Sequence, residues 1–87
     1  MALYAVSYQL NKKKNYDPLW RAFEELNAKK AMNDFYLLES EASPHTIGVY
    51  LKGLIDDDDF LFVVPFVTMP YKYNCFEGTK AWLDAAF

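Results

Sequence analysis

The sequence predicts a small α+β domain, in which two helices pack on one face of an antiparallel sheet of about four strands. Segments with an apolar period of two alternate with segments whose apolar residues recur at the helical spacing i, i+4, i+7. Of the 87 residues, 53% are hydrophobic and 24% are charged, a composition typical of globular proteins. The length fits a single domain over residues 1–87.

The first half of the chain predicts strand, helix and strand in that order. Residues 3–10 alternate large apolar side chains with small or polar ones, and none is charged, which indicates a central strand. Asp17 and Pro18 then provide an N-cap and a first-turn proline for an amphipathic helix. Asn27 is a candidate left-handed residue at the end of this helix. Residues 32–40 are the second strand candidate.

The second half of the chain contains the same kind of helix-start signal. Ser43 and Pro44 begin a second helix, which Gly48 and Gly53 weaken by about 1 kcal/mol each relative to alanine. A turn at 56–59 leads into a strand at 60–67 that is apolar on both faces, and Pro65 marks its end as a sheet edge or a bulge. Segments 71–76 and 78–86 predict a short strand and a terminal helix. This appended unit, 71–87, is expected to cover a sheet edge or to cross to a dimer partner.

The elements are expected in the order βαβαββ, or βαββαβ if residues 31–41 form a bent hairpin. Both orders fit a ferredoxin-like two-layer sandwich. Two helices cover only one face of such a sheet, so the other face is expected to be apolar and uncovered. An uncovered apolar face favours a homodimer.

Composition excludes several classes of protein. A single cysteine cannot form an internal disulfide, which argues against a disulfide-stabilised secreted scaffold. The N-terminus has no signal-peptide pattern, and the longest apolar run, Phe60–Pro70, is shorter than the roughly 20 residues of a membrane-spanning helix. The expectation is a cytoplasmic protein without membrane contact. A net charge of −3 argues against general nucleic-acid coating, and no motif predicts a cofactor.

Three groups of side chains are candidates for interaction sites, and none predicts a catalytic set. Lys12, Lys13 and Lys14 precede a helix N-terminus, where they contact a phosphate or an RNA, or remain a solvated loop. Tyr71 and Tyr73 form a recognition surface or cover a sheet edge. The third group is an acidic turn formed by Asp56, Asp57, Asp58 and Asp59. We expect this turn to be an exposed, dispensable loop with no bound metal.

Four segments resemble a known superfamily: Leu3–Leu10, Asn15–Trp20, Tyr36–Ser40 and Tyr50–Val63. Together they are similar to the small ferredoxin-like superfamily that contains the CRISPR-associated adaptor subunit, the second Cas protein and partner of the spacer integrase. The similarity is greatest to its SinR-like members, and virulence-associated protein D is a more distant relative. The resemblance implies a homodimer whose sheets face each other across the uncovered face.

The resemblance also implies that some relatives are metal-dependent nucleases, with an aspartate at the end of the first strand in a Tyr-Asp-Leu context. This sequence has Gln9 there, between Tyr8 and Leu10. A neutral amide is a poor Mg²⁺ ligand and cannot act as a general base, but two facing Gln9 side chains would hydrogen-bond across a dimer axis. The expected function is a non-catalytic homodimeric protein-interaction module in mobile-element defence or counter-defence, one version being an inhibitor. The alternative is a metal-dependent endoribonuclease or a toxin of a toxin–antitoxin pair.

Overall fold

A computed structural model describes residues 2–11 and 15–87, which form four strands and three helices. The elements in chain order are β1 (Ala2–Gln9), α1 (Asp17–Glu25), β2 (Lys29–Met32), β3 (Phe35–Ser40), α2 (Pro44–Lys52), β4 (Phe60–Phe66) and α3 (Thr79–Ala86). The strands form one antiparallel sheet in the order β2-β3-β1-β4. The predicted α+β class and four-stranded antiparallel sheet are confirmed.

The segment predicted as one strand at 32–40 is a hairpin of two strands. β2 and β3 pair in antiparallel fashion, and a register irregularity lies between Lys30 and Met32. Asp34 turns the chain between them with φ 56°, a left-handed conformation that aspartate tolerates. Of the two predicted orders, βαββαβ is therefore the one that forms, and α3 follows it.

The helices begin close to where the capping signals predict. Ser43 is the N-cap of α2, and its hydroxyl accepts a hydrogen bond from the Thr46 backbone N–H at 3.1 Å. At α1 the expectation was wrong by one residue, because Asp17 is the first helical residue and Tyr16 is the N-cap. Asn15 Oδ1 accepts from the Asp17 N–H at 3.1 Å and so satisfies this backbone donor. Asn27 adopts the predicted left-handed conformation, with φ 57°.

α1 and α2 pack on one face of the sheet, called here the helix face, and bury the main core. The core contains Tyr4, Val6, Tyr8, Leu19, Ala22, Phe23, Tyr36, Leu38, Ile47 and Leu51. Its centre is a stack of the Phe23 and Tyr36 rings, whose centroids lie 3.9 Å apart at an interplanar angle of 6°. Tyr8 lies beside both rings, and its hydroxyl accepts a hydrogen bond from Trp20 Nε1 at 3.1 Å.

The opposite, second face is not uncovered as predicted, because α3 packs on its β2–β3 half. Leu83 is buried there against Ala31 and Leu37, with Trp82 and Phe66 beside them. The Phe76 backbone N–H donates to the Ala31 carbonyl at 2.9 Å, which attaches the C-terminal segment to β2 of the same chain.

The strand expected at 71–76 does not form. Asn74 has φ 53° and Gly78 has φ 91°, and these left-handed residues interrupt an extended backbone. The terminal helix forms as predicted, one residue later, at Thr79–Ala86. Among the described residues of the second face, the end of β4 that carries Phe60 and Phe62 stays exposed, whereas Phe66 at its other end packs beside α3.

Candidate functional site

Gln9 is exposed at the end of β1. It pairs with Phe60 of β4, and the two line a shallow depression together with Ser7, Phe62 and Asp59. The fold thus brings Gln9 next to the acidic turn, which is far from it in the sequence. Among the described residues that line this depression, Asp59 is the one acid. A neutral amide beside a single carboxylate is a poor acid–base pair for catalysis.

The acidic turn, residues 56–59, is organised by Asp59. Asp59 Oδ1 accepts from the Asn11 backbone N–H and Oδ2 from the Asp56 backbone N–H, both at 2.8 Å. The Asn11 side chain also donates to the carbonyl of Asp58. Asp56, Asp57 and Asp58 are exposed, but Asp59 is half-buried. The expectation that all four are exposed is wrong for Asp59, because its carboxylate replaces water as the acceptor for two backbone donors.

Three carboxylates of the acidic turn lie close enough to share a cation. One oxygen from each of Asp56, Asp58 and Asp59 falls within 4.8 Å of the others. Carboxylate oxygens are the ligands that Mg²⁺, Mn²⁺ and Ca²⁺ prefer. Both oxygens of Asp59 already accept backbone hydrogen bonds, so a cation there would draw mainly on Asp56 and Asp58.

The two remaining groups of candidates lie elsewhere. Lys12, Lys13 and Lys14 fall outside the described residues. Tyr71 and Tyr73 are 90% and 75% exposed, on the second face. They line an apolar groove of about 290 Å³ between the sheet and the C-terminal segment, with Phe35, Leu37 and Cys75 in its wall. Tyr71 and Tyr73 therefore border a different depression from the one that contains Gln9.

Beside Gln9 lies an exposed row of apolar side chains on β4, called here the β4 strip, which the sequence analysis does not single out as a site. Phe60, Phe62 and Val64 point to the second face and are 58%, 68% and 39% exposed. Their partners on β1 are Gln9, Ser7 and Ala5, which are too small or too polar to cover them. The strand's apolar pattern and Pro65 were visible in the sequence, but its neighbours were not.

Tyr8, which precedes Gln9 on β1, is buried and faces the other way, into the helix-face core. Burial raises the pKa of Tyr8 to about 12, and the hydrogen bond from Trp20 opposes the shift. The hydroxyl is therefore neutral at physiological pH. The position of Tyr8 indicates a structural role in packing the core.

Comparison of the chain with protein-family models, with curated proteins and with solved structures finds no significant match. No helix among the residues that the structure describes is long and apolar enough to cross a membrane. The site is accordingly defined by its own geometry: a neutral Gln9, a structural Asp59 and an exposed apolar strip.

Proposed function

We propose that this chain is a non-catalytic, homodimeric protein-interaction module that acts in the cytoplasm in mobile-element defence or counter-defence. The observation that carries the proposal is the β4 strip, in which Phe60 and Phe62 are more than half exposed. Contiguous exposed apolar side chains are typical of surfaces that bind another protein, a membrane or a ligand. The substitution of an amide for an acid at Gln9 supports a role without metal-dependent catalysis.

The proposal includes a ferredoxin-like arrangement and membership of the CRISPR-adaptor-like superfamily. The element order βαββαβ and the sheet order β2-β3-β1-β4 support the arrangement, because they place α1 and α2 on one face and β1 and β3 in the middle. The resemblance of the four sequence segments supports the superfamily. A protein that has lost the acid of its relatives while keeping their scaffold fits a binding role, including that of an inhibitor.

Sedimentation equilibrium at micromolar concentration tests the homodimer. We expect twice the chain mass of 10.1 kDa for the wild type. Phe62→Lys should give the monomer mass, because it places a charge in the apolar contact. Val49→Lys is the matched control, since Val49 is 56% exposed on α2 and lies outside the β4 strip. A wild type that remains at the monomer mass would contradict the proposal.

A metal-dependent endoribonuclease or toxin is the second candidate, and the three clustered carboxylates of the acidic turn favour it. Cleavage of single- and double-stranded RNA and DNA with Mg²⁺ or Mn²⁺ separates the two functions. The interaction module predicts no cleavage above an EDTA control. Cleavage that EDTA abolishes, and that Asp56→Asn with Asp58→Asn removes, would establish the nuclease instead.

A further inference from the structure

The two edges of the sheet are protected very differently. β2 and β4 are the edge strands. At β2, the Phe76 N–H donates to the Ala31 carbonyl at 2.9 Å and Lys29 Nζ donates to the Glu77 carbonyl at 2.7 Å, so the C-terminal segment covers that edge. No strand within 2–11 or 15–87 pairs with the outer edge of β4. An open edge presents backbone donors and acceptors that readily pair with another chain.

β4 also lacks the devices that usually prevent such pairing. Edge strands are commonly protected by lysines, prolines or bulges. The sequence of β4, Phe60–Phe66, contains no charged residue, and its register with β1 is unbroken. Pro65 is the one interruption, and it lies near the end of the strand. The proline-free stretch Phe60–Val64 is therefore available for a ladder, and Phe62 is its midpoint.

The surroundings of this edge define which strand would fit beside it. On the helix face, a groove of about 460 Å³ separates α2 from the edge, with Gly48, Ile55 and Leu61 in its wall and Lys52 and the acidic turn at its end. A Cβ on Gly48 would have nothing within 4 Å, so the groove has room for side chains. On the second face, the added strand lies beside the β4 strip. Such a strand needs apolar side chains beside Leu61 on the helix face and beside the β4 strip on the second face.

β4 itself meets that requirement. Leu61 and Val63 lie on its helix face, whereas Phe60, Phe62 and Val64 lie on the second face. We propose that two copies of the chain pair in antiparallel fashion through the outer edges of β4, with Phe62 of one copy opposite Phe62 of the other. The proposal rests on the homodimer proposed above and specifies its geometry. The product is a continuous sheet of eight strands, four from each copy.

This register places apolar side chains opposite one another along the whole ladder. Phe60 lies opposite Val64 and Leu61 opposite Val63, and both prolines fall outside the paired stretch. Aromatic and β-branched residues in cross-strand pairs stabilise antiparallel sheets. No charged side chain of β4 is brought against its own copy, because β4 has none.

The C-terminal segment argues against stacking of two complete second faces. α3 stands on the β2–β3 half of that face, and Tyr71 and Tyr73 project beside it. Edge pairing needs no movement of these elements. The exposed fractions of Phe60 and Phe62 correspond to on the order of 250 Å² per copy. Over both copies this is about 500 Å², so even with the backbone ladder the interface lies below the roughly 1,200 Å² of most specific interfaces, and the dimer should dissociate on dilution.

Register-specific disulfide formation tests the proposal in a Cys75→Ser background, which removes the native thiol. Residues directly opposite in an antiparallel pair have Cα atoms about 4.5–5.5 Å apart, within the range of about 4.4–6.8 Å that a disulfide spans. Phe62→Cys should therefore form a covalent dimer on mild oxidation. Phe60→Cys alone should not form one, because in this register the cysteines at position 60 of the two copies are four residues apart along the ladder, about 13 Å.

The double variant Phe60→Cys with Val64→Cys retains Phe62 and should form a covalent dimer through both pairs. It covers the case in which Phe62→Cys weakens association. If the wild type sediments as a dimer but neither variant cross-links faster than Phe60→Cys alone, the edge register is wrong and the homodimer stands. If the wild type is a monomer at micromolar concentration, the proposed homodimer and this geometry both fail.

Discussion

The backbone N–H of Asn11 donates a hydrogen bond to Asp59 Oδ1 at 2.8 Å, which joins the chain just after β1 to the turn just before β4. The next ladder position is the pair formed by Gln9 and Phe60. The carboxylate of Asp59 thus fixes the register of these two strands at the end where the candidate surface lies. Asp59, which the sequence presents as one of four surface charges, therefore helps to hold the candidate surface in place.

Asp59→Ala should lower the free energy of unfolding by about 2 kcal/mol, because two backbone N–H groups lose a charged acceptor. Asp57→Ala is the matched control. Asp57 is exposed in the same turn, so its replacement should change stability by less than about 0.5 kcal/mol. Urea denaturation of both variants measures the difference. Equal stability of the two variants would show that the turn holds its shape without the Asp59 carboxylate.

Local signals predicted the helix starts better than any other feature. Ser43 and Pro44 act within one turn of chain, so α2 was predictable from neighbours in sequence. The hairpin between β2 and β3 was harder, because its turn uses Asp34 at φ 56° without glycine. The docking of α3 depends on contacts of Leu83 with Ala31 and Leu37, which are distant in the chain, and no local pattern encodes them.

For the candidate site, too, local features could be predicted from the sequence and long-range contacts could not. That Gln9 would lie at a strand end followed from the alternation in β1. The pairing of β1 with β4, which places Phe60 and Asp59 next to Gln9, depends on strand order. Strand order is set by the whole fold, and for this reason the β4 strip was not among the predicted residues.

Two glycine substitutions should have opposite effects on stability. Gly78→Ala should destabilise the protein by about 1–2 kcal/mol, since an L-residue at φ 91° is strained. Its Cβ would also lie 3.2 Å from Lys29 Nζ, which is held by Glu77. Gly48→Ala should stabilise by about 0.5–1 kcal/mol, because Gly48 lies inside α2 with open space around it. Thermal and urea unfolding check both signs, and destabilisation by Gly48→Ala would mean that its open space is needed.

The burial of Tyr8 predicts loss of stability at alkaline pH. Because burial raises the pKa of Tyr8 from 10.0 to about 12, the folded state favours the neutral hydroxyl. The stabilisation from the neutral Tyr8 hydroxyl is complete below pH 10. It is lost as the pH rises from about 10 to about 12, and the total loss is on the order of 2 kcal/mol. Burial also raises the pKa of Tyr36, in the same core, so part of the loss is shared.

Tyr8→Phe should therefore reduce the fall in unfolding free energy between about pH 10 and pH 12. It should also cost about 1 kcal/mol at neutral pH, because the Trp20 indole N–H loses its acceptor. Tyr71→Phe, at a side chain that is 90% exposed, is the control and should keep the wild-type profile. Identical alkaline profiles for Tyr8→Phe and the wild type would contradict the assignment.

Gln9→Asp introduces an acid at the end of β1 and should convert this end of the sheet into a cation site. The new carboxylate would lie in the depression that Asp59 lines, close to the turn that holds Asp56 and Asp58. Like charges at short range repel, so without divalent ions this variant should lose about 1 kcal/mol at neutral pH. In a domain of this size that corresponds to a fall of about 4–8 °C in Tm.

Millimolar Mg²⁺ or Mn²⁺ should reverse the fall, because hard cations bind clustered carboxylates. Gln9→Asn, which adds no charge, should show neither the fall nor the recovery. Thermal unfolding in EDTA and in Mg²⁺ compares the two variants directly. The wild type should show no cleavage of RNA or DNA with either ion. EDTA-sensitive cleavage by the wild type that Gln9→Ala abolishes would assign Gln9 to a working nuclease site and would contradict the non-catalytic proposal.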